Sequence, residues 1–282
     1  MFEKKPFAKP SRPTRSSSQS SFSSSPAGNR TYETRRPPEK EMVFGIRAII
    51  EAIDAGKTID KILIRRDMTS TIGKELLKKL MGTTTPVQKV PVEKLNQYPD
   101  KNHQGAIAFL SPIEFCNVET LVPTLFEEGK TPLLMVLDGV TDVRNFGGIA
   151  RSAECAGAHG IISSLKNSAP VNADSIRSSA GALTRIPVAR VGSIRNTLKS
   201  LQAEGFQVVA ATEHSRKLMY DADLRKPTVI VMGSEEKGIS KEVLKLCDEQ
   251  LAIPMIGAIE SLNVSAAAAI MLFEVVRQRI GE

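Results

Sequence analysis

The sequence is poor in the residues that build metal centres and disulfide frameworks. Its three cysteines, Cys116, Cys155 and Cys247, are an odd and scattered set without a CxxC, which argues against both a disulfide scaffold and a cysteine zinc site. Three histidines, His103, His159 and His214, leave little material for a His-ligated metal or a His-based triad, so no metal is expected. No apolar run reaches about eighteen residues and the N-terminus lacks the apolar core of a secretory signal, so neither a membrane partner nor export is expected. GxGxxG is also absent, which removes the usual dinucleotide and Rossmann methyltransferase fingerprint.

What is present is an uneven charge. Of the formal +7, most sits in residues 1–40, which hold nine Lys or Arg against three Asp or Glu, with nine Ser and six Pro. Such a segment cannot bury enough apolar surface to offset its ordering entropy, and a disordered basic tail is expected. It suits a spacer, or non-specific attraction to phosphate that weakens with salt. Its Ser-rich, acid-poor character resembles an organellar transit peptide, but no amphipathic helical pattern accompanies it, and the cytoplasm is the expected compartment. The rest of the chain is close to neutral.

With 41% hydrophobic residues in 282, two cores are expected. Residues 42–113 alternate helix (45–56, closed by Gly56), strand (60–66), helix (73–81) and strands (86–90 and 104–110, ended by Ser111-Pro112). This pattern reads as a small α/β sandwich with a modest basic bias. Residues 114–130, with Pro123 and Gly129, read as a linker or connecting helix. A second α/β series occupies 131–282, with strands at 133–137, 159–164, 186–191, 206–212, 228–233 and 251–254. Helices fall between them, and the last has an apolar face of Val264, Ala268, Met271, Leu272, Val275 and Val276. Apolar strands alternating with helices indicate a mostly parallel sheet covered on both faces, with ligands bound beyond the strand C-termini.

Three loops at strand ends stand out. In the first, Asn145 and Arg151 flank Gly147-Gly148 and could face one cleft, although Asn145 is equally placed to cap the next helix. In the second, Gly233 and Gly238 have the spacing of a phosphate-binding P-loop, but Ile239 stands where that motif needs Lys. Glu235 there could instead serve a helix start. The third concentrates Glu260, Ser261, Asn263 and Ser265 before the small side chains Ala266 to Ala269. Capping explains one of these polar residues rather than four.

Taken in order, NFGGIAR, MGSEEKGIS and IPMIGAIESLNVSAAAA resemble the three motifs of the SpoU/TrmH class of SPOUT RNA ribose 2'-O-methyltransferases. Residues 42–113, through VFGIRAIIEAI and NHQGAIAF, are similar to the substrate-binding domain of the RlmB-like branch, a module related to kink-turn-binding ribosomal proteins. Glu236 stands where the family usually has Gly. The resemblance implies a trefoil-knotted α/β domain and a homodimer. It further implies S-adenosylmethionine held by Gly233, Ile253, Met255 and Leu262, and methyl transfer to a ribose of RNA, at a guanosine of large-subunit ribosomal RNA. Arg151 would contact the reacting hydroxyl, Asn145, Ser261 and Asn263 would orient substrate and loop, and Glu235 would fix Arg151 or the cofactor loop. Transfer RNA is the nearest alternative substrate, and a non-catalytic RNA-binding assembly factor is the alternative of a different class.

Overall fold

The computed structural model describes residues 42–98, 102–259 and 261–280. The basic tail expected over 1–40, and Glu260 of the polar loop, lie outside the described residues. No described helix is long and apolar enough to cross a membrane.

The first core is built on four strands, β1 (Met42–Phe44), β2 (Ile59–Arg65), β3 (Val87–Val90) and β4 (Ala106–Leu110). They lie in the order β1-β4-β2-β3, with β4 antiparallel to both neighbours and β3 parallel to β2. Alternation along β2 explains how it is buried on both faces. Ile62 and Ile64 pack with Ile46, Ile49 and Leu76 of helices α1 (Ile46–Asp54) and α2 (Thr71–Leu80). Leu63 turns the other way, toward Leu95, Ile107 and Phe109, Leu95 ending the short helix α3 (Val92–Leu95).

The stretch 114–130 is largely structured: Phe115–Cys116 forms β5 and Val118–Glu127 forms α4. Strand β5 is the edge of a seven-stranded sheet completed by β6 (Leu133–Asp138), β7 (Gly160–Ser164), β8 (Val188–Val191), β9 (Gln207–Ala211), β10 (Thr228–Gly233) and β11 (Glu249–Leu251). The order is β11-β9-β10-β6-β7-β8-β5 and every pairing is parallel. Again the period of two divides the faces. Leu133, Met135 and Leu137 meet helices α5 (Val143–Cys155) and α9 (Val264–Ile280), whereas Leu134 and Val136 meet α4 and helix α7 (Ile194–Ala203). Shorter helices α6 (Ala173–Ser178) and α8 (Lys241–Leu244) complete the set. Because all seven strands run the same way, Asp138, Ser164, Ala211, Gly233 and Leu251 end on one edge of the sheet.

A buried ion pair ties the two sheets together. Asp60 of β2 and Arg190 of β8 are 3% and 5% exposed, and Asp60 Oδ1 accepts from Arg190 Nη2 at 2.6 Å and from Val171 N at 2.9 Å. Arg190 Nη1 donates to the Asp60 carbonyl at 2.6 Å, and the guanidinium lies 4.1 Å from the centre of the Phe115 ring. Each charge thus finds the partners that burial demands.

Candidate active site at the strand ends

The loop leaving β6 ends at Asp142, whose Oδ1 accepts from Arg144 N at 2.8 Å and Asn145 N at 2.9 Å. Asp142 is therefore the cap of α5, and Asn145 lies inside the first turn. The expectation that Asn145 could cap this helix is corrected: Asp142 already satisfies the donors, and the Asn145 side chain is free for other work. Arg151 also lies on α5, exposed to solvent. Six residues of helix place it about 9 Å along the axis from Asn145 and about 120° around it. The two therefore sit on different faces of one helix rather than on one loop. The intervening glycines serve packing. A Cβ at Gly147 would fall 2.0 Å from Ser178 Oγ of α6, and one at Gly148 would fall 3.0 Å from Ser265 Cβ of α9.

Asn263 joins the three loops. Its Oδ1 accepts from Ser265 N at 2.9 Å and from Ser265 Oγ at 2.6 Å, capping α9. Because that oxygen faces a backbone N–H, the amide nitrogen points the other way. There Nδ2 donates to Asn145 Oδ1 at 2.9 Å and to Glu235 Oε1. Glu235 thus meets Asn263 and not Arg151. Ser261 is exposed on the wall of the adjoining cleft.

Glu235 is carried by a tight turn. Ser234 and Gly238 exchange backbone hydrogen bonds at 3.1 and 2.9 Å, and Lys237 N donates to Ser234 Oγ at 3.1 Å. Gly238 has φ +63, and a Cβ on Gly233 would fall 2.1 Å from the Gly238 carbonyl carbon, so the chain doubles back where only glycine fits. Glu236 is not among the positive-φ residues and needs no glycine. Ser240 N donates to Asp138 Oδ2 at 2.8 Å, fastening the loop to the end of β6.

On one side of this turn lies a cleft of about 450 Å³ that includes Gly233, Glu235, Leu262 and Asn263 in its walls. It continues into an apolar slot lined by Ala211, Ile253, Met255, Leu262 and Ala267, with Ser261 and Thr212 as polar neighbours. The four residues expected to hold a cofactor are thereby gathered in one place. A volume in the range of roughly 300–1000 Å³ typical of small-ligand sites, with an apolar slot and the carboxylates of Glu213 and Glu235 in its walls, fits an adenine and a sulfonium cation. Ala211, Thr212 and Glu213 were missed in the sequence. Their signal was position alone, since Ala211 ends a parallel strand and Thr212 and Glu213 follow it, at the edge where ligands bind. Among the described residues, no group of three or more His, Cys, Asp or Glu is arranged to hold a metal ion.

Two family models match the chain: the SpoU rRNA Methylase family over residues 132–273, and RNA 2'-O ribose methyltransferase substrate binding over residues 42–116. A putative TrmH family tRNA/rRNA methyltransferase of Staphylococcus saprophyticus is 34% identical over 241 residues, 86% of this chain and 97% of its own. The putative TrmH family tRNA/rRNA methyltransferase YacO of Bacillus subtilis is 30% identical over 246 residues, 86% of this chain and 99% of its own. Among solved structures, the SpoU methyltransferase AviRb of Streptomyces viridochromogenes in complex with AdoMet aligns with a TM-score of 0.56 at 30% identity, covering 86% of this chain and 91% of that one. An AdoMet-bound rRNA methyltransferase from Sinorhizobium meliloti aligns at 0.54 and 26%, covering 84% and 86%.

Proposed function

The chain belongs to the SpoU methylase family of RNA methyltransferases, which use S-adenosylmethionine, and on that premise we propose that it methylates a ribose 2'-hydroxyl of large-subunit ribosomal RNA, at a guanosine. The observation that carries this reading is the Asn145–Asn263–Glu235 cluster, which couples the three loops at the mouth of the cofactor-shaped cleft. Residues 42–113 are the RNA substrate-binding part of the proposal, and the trefoil-knotted threading belongs to it as well.

S-adenosylmethionine supplies a methyl group activated on sulfur. The chain must hold a weakly acidic hydroxyl in line with that methyl and stabilise the charge that develops as its proton leaves. Ile253, Met255 and Leu262 exclude water from the apolar slot, and Gly233 lets the turn double back beside it. Asn145 and Ser261 orient the ribose, while Asn263 keeps Asn145 and Glu235 at fixed separation. Arg151 suits phosphate contact and alkoxide stabilisation better than proton removal, because a guanidinium stays protonated.

Since Arg151 stands apart from the Asn145 cluster within one chain, it acts in this reading on the site of a second copy. Exposed Phe273 and Ile280 on α9, and Met255, Ile256 and Ile259 on the loop before it, supply apolar surface for such a homodimer. Equilibrium sedimentation should give a dimer, and a monomer at micromolar concentration would contradict it. Arg151→Ala should abolish methyl transfer while calorimetric binding of S-adenosylmethionine persists; retained turnover would remove Arg151 from the mechanism. Ribose-methylation mapping of RNA from cells with and without the gene tests the whole reading, by loss of a single site in ribosomal RNA. Loss of a transfer-RNA site instead would favour the second substrate, which the tRNA/rRNA naming of the relatives keeps in view. A non-catalytic assembly factor was favoured only by Glu236, which does not have the positive φ that would call for glycine.

A further inference from the structure

Behind the Ser234–Lys237 turn lies a second cleft of about 410 Å³, lined by Gly139, Thr141, Asp142, Asn145 and Asn167. It shares Glu235, Lys237 and Val264 with the cofactor-shaped cleft. Asn145 lines only the second cleft and Asn263 only the first, and the two side chains bond to each other across the wall. A ribose hydroxyl delivered to that wall has room for the rest of its nucleoside on the far side. We propose that the second cleft receives the base of the methylated nucleotide and that the Asn167 amide reads its edge; this rests on the methyltransferase function proposed above.

Three described residues other than glycine have positive φ, Gln104, Asn167 and Ala180, and of these only Asn167, at φ 56, lines either cleft. Glycine would adopt this conformation freely, whereas asparagine tolerates it at some cost. The turn that carries Asn167 is held in place. Ala169 N donates to the Val140 carbonyl at 2.9 Å and Lys166 N to Ser164 Oγ at 3.2 Å. Asp142 is occupied with capping α5 and Asn145 Oδ1 with Asn263, but the Asn167 side chain is exposed. Its amide offers a donor and an acceptor together, the combination that reads a base edge. Among the described residues no aromatic side chain lines the cleft, so recognition there works through hydrogen bonds, which discriminate between acceptors more sharply than apolar contact does.

The test uses the full chain, labelled S-adenosylmethionine and total RNA from cells lacking the gene, which carries the unmodified site. Asn167→Gly keeps the backbone conformation and removes the amide. It should lower kcat/KM for RNA by about tenfold or more, chiefly through KM, with S-adenosylmethionine affinity and melting temperature unchanged. Asn167→Asp should also change which nucleotide is modified. If Asn167→Gly matches the natural protein in rate and in modified nucleotide, or if it loses cofactor affinity or melting temperature in step with activity, the base-reading role is overturned and Asn167 is a turn residue. If the natural protein transfers no methyl to this RNA, the proposed function itself fails, and the assignment of the cleft falls with it.

Discussion

Asn263 performs two separable tasks, and one substitution can divide them. Serine caps helices about as well as asparagine, and replacing either by alanine costs about 0.5–2 kcal/mol. Asn263→Ser should therefore keep the melting temperature and lose methylation, because it cannot reach Asn145 and Glu235 at once. Asn263→Ala should lose both. Equal activity in the serine variant and the natural protein would reduce Asn263 to a cap. A different residue governs part of the pH dependence. His159 Nδ1 accepts from Leu133 N at 3.1 Å, which requires the neutral ring; burial, with Lys130 and Arg279 nearby, holds its pKa below the usual histidine value. The unfolded chain takes up a proton that the folded chain resists, so this contribution to stability is present above about pH 6.5 and declines as pH falls below it. His159→Asn, which retains an acceptor, should show a smaller drop in melting temperature between pH 7.5 and 5.5, and an unchanged drop would dismiss the assignment.

At the level of elements, the apolar period located the helix and strand interiors, and chemistry at their ends decided the boundaries. The helix reads from Gly147 in the sequence, whereas α5 begins at Val143, where the Asp142 side chain caps its first turn. Of the linker and the connecting helix that 114–130 allowed, the structure has a helix, and α4 runs through Pro123. An internal proline costs about 3 kcal/mol, but burying Val118, Val122 and Leu125 contributes about 1.5–3 kcal/mol for each side chain. Strand β11 covers Glu249–Leu251 where 251–254 was expected, because an edge strand can expose polar residues and Glu249 pairs there with Lys217. The turn after β10 allows a direct comparison of two glycines. Alanine at Gly238 meets nothing within 4 Å and suffers only the φ of +63, whereas alanine at Gly233 strikes backbone at 2.1 Å. Gly233→Ala should thus cost more stability than Gly238→Ala, about 1–3 kcal/mol against about 1–2 kcal/mol, and should also weaken S-adenosylmethionine binding measured by calorimetry. The reverse order would sink this reading of the turn.

For the molecule as a whole, the α/β class and the parallel sheet were legible because burial on both faces leaves continuous apolar runs. Long-range partnerships were not, since nothing local couples Asn145 to Asn263, 118 residues apart, or Asp60 to Arg190, 130 apart. The motifs placed Asn145, Glu235 and Asn263 in one site through resemblance, while the separation of Arg151 from them needed the helix geometry. The Asp60–Arg190 pair carries its own expectation. Breaking it from one side strands a buried charge, so Asp60→Ala should cost about 3–5 kcal/mol in urea unfolding, while the double variant with Arg190→Met should cost much less than the two single costs combined. Simple additivity would show that the two side chains do not act as a unit. The same pair sets a timetable for a chain emerging from the ribosome. At roughly 5–20 residues per second, Arg190 is made roughly 7–26 s after Asp60, so the small sheet waits with an unmatched carboxylate on a surface destined for burial. During that interval water must solvate Asp60, and the two halves can dock only when synthesis has passed β8.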